Sequence, residues 1–371
     1  MSQSPNTATH SPAGPDRPEL RDVLQEIVDS GITGIQLRVH DERGTWAATA
    51  GAAELDRDAA PPVDGHVRIG SNTKTFTATL VLQLVAEGKV DLDAPAVDHL
   101  PEYDLDRRVT VRMLLQHTSG VFNHTGEFSE DGSMVPGIIS TLAGKEWVDN
   151  RFHSHRPQDL ARLSLSKPPR FEPGAGWSYS NTNYVLARLL VENVTGRPIA
   201  EVTRERILDP LGLTGTVVPG SSQDIPEPYA HAYYRYEDAG QVRTVDVSRQ
   251  NPSWVDAGGD MISTTEDLHT FISALARGEL LPAPLVAEMS KPHPASGFGL
   301  GLRIQQTTPD GGDTLLFHNG GHSGHAALMY STADGSRTLT AALNYVDDAA
   351  MTLAAPFMKA QDRLVEAVFG S

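Results

Sequence analysis

The decapeptide Val67-Arg68-Ile69-Gly70-Ser71-Asn72-Thr73-Lys74-Thr75-Phe76 constrains this chain more than any other stretch. A short β-type approach meets a glycine, and a serine and a lysine follow at i and i+3. In a helix that spacing sets hydroxyl and amine on one face, close enough for the amine to take the hydroxyl proton. Phe76, Leu80, Leu84 and Val85 continue the helix as an apolar stripe, and Gly88 sits where a C-cap belongs. A lysine buried against such a stripe loses solvation, so its pKa falls and it acts as a base near neutral pH. The expectation is a serine nucleophile, Ser71, with its base, Lys74, one turn away. A second copy of the spacing, Ser164-Leu165-Ser166-Lys167, runs into Pro168 and Pro169, which forbid a continuing helix, and is read as chance.

Charge and composition narrow the partners. The 47 acidic residues outnumber the 30 basic ones, and a net charge of −17 repels phosphate backbones and anionic membranes, so no nucleic acid is expected. No stretch reaches the roughly eighteen apolar residues that a membrane span needs, so no membrane is expected either. The absence of cysteine excludes disulfides, thiolate catalysis and cysteine-ligated zinc. Residues 1–19 are polar and rich in Ser, Thr and Pro. They are expected to form a disordered leader without the basic start and apolar run of a secretory signal, so a cytoplasmic protein is expected, or a secreted one if a leader has been removed.

At 371 residues the chain is long enough for one large domain or two that share a core. Pro18 to Ser30 reads as an amphipathic helix, and Ile35 to His40 with Thr45 to Ala50 as a hairpin. Val109 to Gln116 is a short helix ending in the turn His117-Thr118-Ser119-Gly120. Residues 121–176 are irregular and long enough to wall a cleft. Helices follow over Thr182 to Val194 and Pro198 to Ile207, residues 219–253 carry no clear signal, and Thr264 with Asp267 makes a capping box before a helix over Leu268 to Ala276. Gly299 to Gln305, Thr314 to His318, His325 to Ser331 and Thr338 to Asn344 read as strands, and Met351 to Phe369 as a terminal helix. The expected fold is α+β: an antiparallel sheet built from both termini and flanked by helices. Residues 20–90 plus 256–371 would form the sheet domain and 91–255 a mostly helical insert, with the active site at their junction.

A serine nucleophile also needs an oxyanion hole and a proton donor for the leaving group. Trp177-Ser178-Tyr179-Ser180-Asn181 precedes a helix and offers Tyr179 to share the lysine's proton and Asn181 to bind a substrate carbonyl. Phe317-His318-Asn319-Gly320-Gly321 ends a strand in a glycine pair, which lets the backbone come close to an acyl group and present N–H donors. His124-Thr125-Gly126 and His322-Ser323-Gly324 are rival copies, and His318 is preferred because it follows a β run. His318, His322 and His325 also raise the alternative of a zinc hydrolase. Against it, on a strand the first and last point to opposite faces and no carboxylate joins them at ligand spacing, so no metal and no cofactor are expected.

Together, Ser71-x-x-Lys74, Tyr179-x-Asn181 and His318-x-Gly320 resemble the serine penicillin-recognising enzymes: class C β-lactamases, D-alanyl-D-alanine carboxypeptidases and related esterases and transacylases. The run Leu82 to Asp93, the turn at His117, Tyr179 to Tyr184, Trp254 and Gly299-Leu300-Gly301-Leu302-Arg303 look like the secreted actinobacterial D-alanyl-D-alanine carboxypeptidase, over roughly residues 20 to 365. The resemblance implies a β-lactamase/transpeptidase-like fold in which Ser71 forms the acyl-enzyme and Lys74 and Tyr179 relay its proton. It further implies that Asn181 contacts the acyl side chain, that the N–H groups of Ser71 and Gly321 make the oxyanion hole, and that His318, Asn319, Gly320, Trp254 and Arg303 line the pocket. Arg303 matches the position that holds the terminal carboxylate of a D-alanyl peptide.

One departure from the carboxypeptidases bears on function. Their strand motif reads His-Thr-Gly-Thr, and Asn319 and Gly321 stand here in place of two hydroxyls, each worth on the order of 1 kcal/mol as a net hydrogen bond. The leading expectation is therefore a cytoplasmic transacylase or esterase/amidase, taking a small-molecule acyl donor and an amine or water as acceptor, as in natural-product assembly. A D-alanyl-D-alanine carboxypeptidase or β-lactamase and a non-catalytic penicillin-recognising binding protein are the alternatives.

Overall fold

Strands from the two ends of the sequence meet in one antiparallel sheet. The computed structural model describes residues 9–10, 16–128, 134–138, 144–308 and 311–370. Of the leader expected over 1–19, residues 1–8 and 11–15 lie outside the described residues. Thr9–His10 (β1) pair with Thr49 and Ala48, and the first helix, Pro18–Asp29 (α1), begins at a proline, whose missing N–H costs nothing at that position. The hairpin is Gly34–Asp41 (β2) and Gly44–Gly51 (β3). Four more strands follow late in the chain: Arg303–Thr308 (β4), Gly311–His322 (β5), His325–Thr332 (β6) and Thr338–Asn344 (β7). Their order across the sheet is β1-β3-β2-β7-β6-β5-β4. All neighbours run antiparallel, and β2 pairs with β7 (Leu37 with Ala341), joining the two ends of the chain.

Period-2 alternation sends successive residues to two different cores. Leu37, Val39, Leu328, Tyr330, Leu339 and Leu343 pack under α1 and the terminal helix Ala354–Phe369 (α5). Ala327, Met329 and Ala342 face a larger core that holds Thr73–Ala86 (α2), Asn181–Thr195 (α3) and Thr265–Ala276 (α4), with the rings of Phe76 and Phe271 stacked 3.6 Å apart. The helices of the middle of the chain and one face of the sheet thus share one core.

α2 departs from the amphipathic stripe read from its sequence: Thr73 through Leu82 are buried on every side. A helix surrounded by protein tolerates threonines only if each hydroxyl finds a partner. Thr73 donates to the Gly70 carbonyl at 2.7 Å, Thr75 to that of Gly301 at 2.8 Å, and Thr77 to that of Ala257 at 3.2 Å. At α4, Thr264 accepts from the Asp267 N–H, but the Asp267 carboxylate turns to the Thr216 hydroxyl at 2.7 Å, so the expected reciprocal box is only half made. The unassigned residues 219–253 contain a hairpin, Tyr233–Asp238 with Gln241–Asp246, joined in parallel by Val346–Asp348. Most of its second strand is exposed, which removes the alternating pattern that would have marked it.

Candidate active site

Val67–Arg68 pair with Ile262–Ser263 and deliver the chain to a tight turn, Gly70-Ser71-Asn72, that opens α2. The turn is pressed against β5. A Cβ on Gly70 would sit 2.7 Å from Gly321 N and 2.5 Å from Gly321 O, and one on Gly320 would sit 1.8 Å from Ile69 O and 2.6 Å from Ser71 N. Only glycine permits this approach, and it brings the Gly321 N–H beside Ser71. The Asn72 amide fastens the turn from below, donating to the carbonyls of Ile69 at 3.0 Å and Ala327 at 3.1 Å.

Lys74, fully buried, donates to Ser71 Oγ at 3.1 Å, to Asn181 Oδ1 at 2.7 Å and to the Gly258 carbonyl. Burial holds its pKa well below the usual lysine range. Tyr179 Oη donates to Ser71 Oγ at 2.7 Å, and burial pushes the phenol's pKa up, against a smaller opposing effect of that hydrogen bond. The two shifts favour loss of the ammonium proton from Lys74 and keep the phenol protonated, with both groups on one serine oxygen. That arrangement can remove the hydroxyl proton and return it elsewhere.

Neighbours that sequence reasoning passed over fix these side chains. His117, expected only as part of a turn, adopts φ +64 at the end of the helix Val111–Gln116 and stacks on the Tyr179 ring at 4.4 Å. Its Nδ1 accepts from the Ser180 N–H at 3.2 Å, and burial keeps the ring well below the usual histidine pKa. Phe298 packs against both rings, 5.9 Å from Tyr179 and 5.5 Å from His117. The copy His124-Thr125-Gly126, set aside as irregular, supplies the wall behind Asn181: its Nδ2 donates to Thr125 Oγ1 at 3.2 Å, and His124 Nε2 lies 2.9 Å from the Trp254 carbonyl. No periodic signal marks such residues, because each sits in a loop and acts through one contact.

β5 forms the opposite wall. His318 is buried beside Phe298, and burial, with the Lys74 charge, pushes its pKa down to about 3. Asn319 was expected among the substrate-binding residues, but strand alternation turns it to the other face. There its amide donates to Tyr330 Oη and Gln361 Oε1, both at 2.8 Å. Arg303, exposed, lies over the rings of Phe298 at 5.3 Å and Phe317 at 5.4 Å, and no ion pair holds it among the described residues. Trp254 meets the His322 ring edge-on at 5.4 Å. Arg303 and Trp254 therefore mark the two ends of the wall from Phe317 to His322. The three histidines do not share one strand as supposed: His322 pairs with His325 across a hairpin, and His325 Nε2 contacts the Ala230 carbonyl at 2.8 Å. Among the described residues no group of three or more acidic or histidine side chains is placed to hold a metal, and no helix is long and apolar enough to cross a membrane.

The Beta-lactamase family profile matches residues 20–360. Among solved structures, a D-stereospecific amidohydrolase from Streptomyces sp. is 36% identical with a TM-score of 0.80, the superposition covering 96% of this chain and 100% of that one. A D-amino acid amidase from Ochrobactrum anthropi SV3, complexed with L-phenylalanine amide, is 27% identical with a TM-score of 0.79, covering 95% and 98%. Esterase EstB from Burkholderia gladioli is 34% identical over 187 residues, which are 48% of this chain and 45% of the esterase. The chain spans about half the length of the curated relatives it matches.

Proposed function

This chain belongs to the Beta-lactamase family, a family of serine hydrolases, and on that premise we propose that it is an amidase or esterase that forms an acyl-enzyme on Ser71 and passes the acyl group to water or an amine. The observation that carries this is the single oxygen, Ser71 Oγ, bonded at once to the Lys74 amine, whose pKa burial lowers, and to the Tyr179 phenol, whose pKa burial raises. Amides and esters of amino acids are the proposed donors, in keeping with the amidases and the esterase this chain resembles.

Lys74 Nζ takes the Ser71 proton as Oγ attacks the carbonyl carbon. The carbonyl oxygen gains the negative charge and accepts from the N–H groups of Ser71 and Gly321, donors that need no reorganisation because the glycine contacts hold them in place. The bond to the leaving nitrogen or oxygen then breaks; that atom takes the Tyr179 proton, and Lys74 restores the phenol. Water or an amine enters by the same route in reverse, loses a proton to the pair and releases the acyl group from Ser71. Asn181 orients Lys74, while Trp254 walls the acyl side and Arg303 favours an anionic leaving group.

Turnover of amino-acid p-nitroanilides and p-nitrophenyl esters tests this directly. Lys74→Ala and Tyr179→Phe should each lower acylation by roughly 10²- to 10⁴-fold with the fold intact. Unchanged turnover in either variant contradicts the assignment. Hydrolysis of D-alanyl-D-alanine peptides far faster than every ester and amide would instead favour the carboxypeptidase alternative.

A further inference from the structure

A cleft of about 370 Å³ opens off the wall where β5 ends, bordered by Gly321, Trp254 and Ser323 on one side and by Met351, Leu353 and Phe357 on the other. It starts at the residue whose N–H stands beside Ser71, so an acyl group whose carbonyl is held at that serine can extend into it. Direction along the wall follows from the proton donor. Tyr179 is packed against Phe298, which also carries the Arg303 guanidinium. A leaving group protonated by Tyr179 departs on the Phe298 side, and the acyl group then runs the other way, past Gly321 into this cleft.

Most of the cleft's lining is apolar, and it holds one acidic side chain. Asp347 borders it, on the short strand Val346–Asp348. Backbone N–H groups of Asp348, at 2.9 Å, and of Gly324 reach its carboxylate. The nearby cation Arg235 is taken by Asp348 instead, and no lysine or arginine pairs with Asp347 among the described residues. A half-buried carboxylate in an apolar recess without a counter-charge is costly unless the recess is meant to receive a cation. Burial accordingly pushes its pKa up, the direction that a bound cation would reverse. The net charge of −17 adds a long-range pull on cationic ligands.

We propose that the acyl donor bears a protonated amine on an apolar acyl group, and that the Asp347 carboxylate receives this amine while Trp254, Leu353 and Phe357 enclose the side chain. The assignment rests on the acyl-enzyme reading above and gives it a substrate class: an ester or short amide of an amino acid whose amine is free, not an N-acylated peptide. The two ends of the site then differ in sign, Asp347 on the acyl side and Arg303 on the leaving-group side.

The test compares phenylalanine p-nitroanilide, each enantiomer in turn, with 3-phenylpropanoyl p-nitroanilide, which lacks only the amine. In the wild type, kcat/KM for the better phenylalanine enantiomer should exceed that of the desamino compound by roughly tenfold or more. In Asp347→Asn that advantage should vanish, with the desamino rate unchanged and the thermal midpoint measured alongside. Equal rates for the amine and desamino substrates in the wild type overturn the proposal without any variant, as does a loss of equal size on both substrates in Asp347→Asn. Labelling of Ser71 by a fluorophosphonate separates the two levels: a labelled enzyme indifferent to the amine refutes only the role of Asp347, whereas no labelling and no turnover refute the acyl-enzyme reading and this inference with it.

Discussion

Gly320→Ala perturbs the site without touching any group that carries a proton. The new Cβ would lie 1.8 Å from the Ile69 carbonyl oxygen and 2.6 Å from Ser71 N, both backbone atoms that cannot swing aside. Side-chain Cβ atoms essentially never approach closer than 3.0 Å, so β5 and the serine turn must part by at least 3.0 − 1.8 = 1.2 Å. The two oxyanion donors at stake, the Ser71 N–H on the turn and the Gly321 N–H on β5, lie on opposite sides of that seam, and a displacement of that size takes one of them past hydrogen-bonding distance of the developing oxyanion. Misplacing reacting groups by about 1 Å costs on the order of 10²-fold in rate, and overpacking adds about 1–3 kcal/mol of destabilisation. Gly321→Ala is the matched control: its Cβ meets nothing within 4 Å, its φ lies outside the left-handed region, and its N–H survives. The assay is the second-order rate of Ser71 labelling by a fluorophosphonate, with a thermal midpoint for each variant. Gly320→Ala should lose about two orders of magnitude and several degrees, while Gly321→Ala stays close to wild type. A Gly320→Ala enzyme that labels at the wild-type rate with an unchanged midpoint refutes the close approach of β5 to Ser71.

Other consequences follow from charge. Because burial lowers the Lys74 pKa and only its neutral form accepts a proton, kcat/KM should fall as pH drops through that lowered value, and a profile flat down to acid pH would contradict Lys74 as the base. Arg303→Ala should leave neutral amides unaffected but slow substrates with a carboxylate on the leaving group by roughly tenfold, so an equal effect on both would remove Arg303 from that role. His124 and His325, held near 4, and His318, held near 3, are buried neutral, so the unfolded chain binds more protons than the folded one below about pH 6.5. Stability should be full above that pH and decline as pH falls toward 4, by up to about 3 kcal/mol for each histidine held near 4. A urea midpoint that does not move between about pH 7 and pH 4.5 would contradict their burial in the neutral state.

What could be read from the chain alone depended on how local each signal was. Ser71 and Lys74 lie one turn apart, so their contact follows from helix geometry, and the hairpin β2–β3 and strands β6 and β7 announce themselves by alternation around short turns. Tyr179 is 108 residues from Ser71, and its approach was legible only through the motif it shares with a known family. Three other things escaped. The exposed strand Gln241–Asp246 lacks apolar alternation. The supports at His117 and Thr125 are loop residues whose contacts depend on tertiary placement. Asn319 was assigned by motif position, whereas the face of a strand decides where a side chain goes, and its amide ends against Tyr330 and Gln361 of the second core.

The central claim is a covalent ester on Ser71, and intact mass after rapid acid quench of a chromogenic ester reaction reads it most directly. The expected result is one acyl increment, localised by peptide mapping to the segment that carries Ser71 and absent in Ser71→Ala. Turnover undiminished in Ser71→Ala, or an increment that maps to another residue, would contradict it.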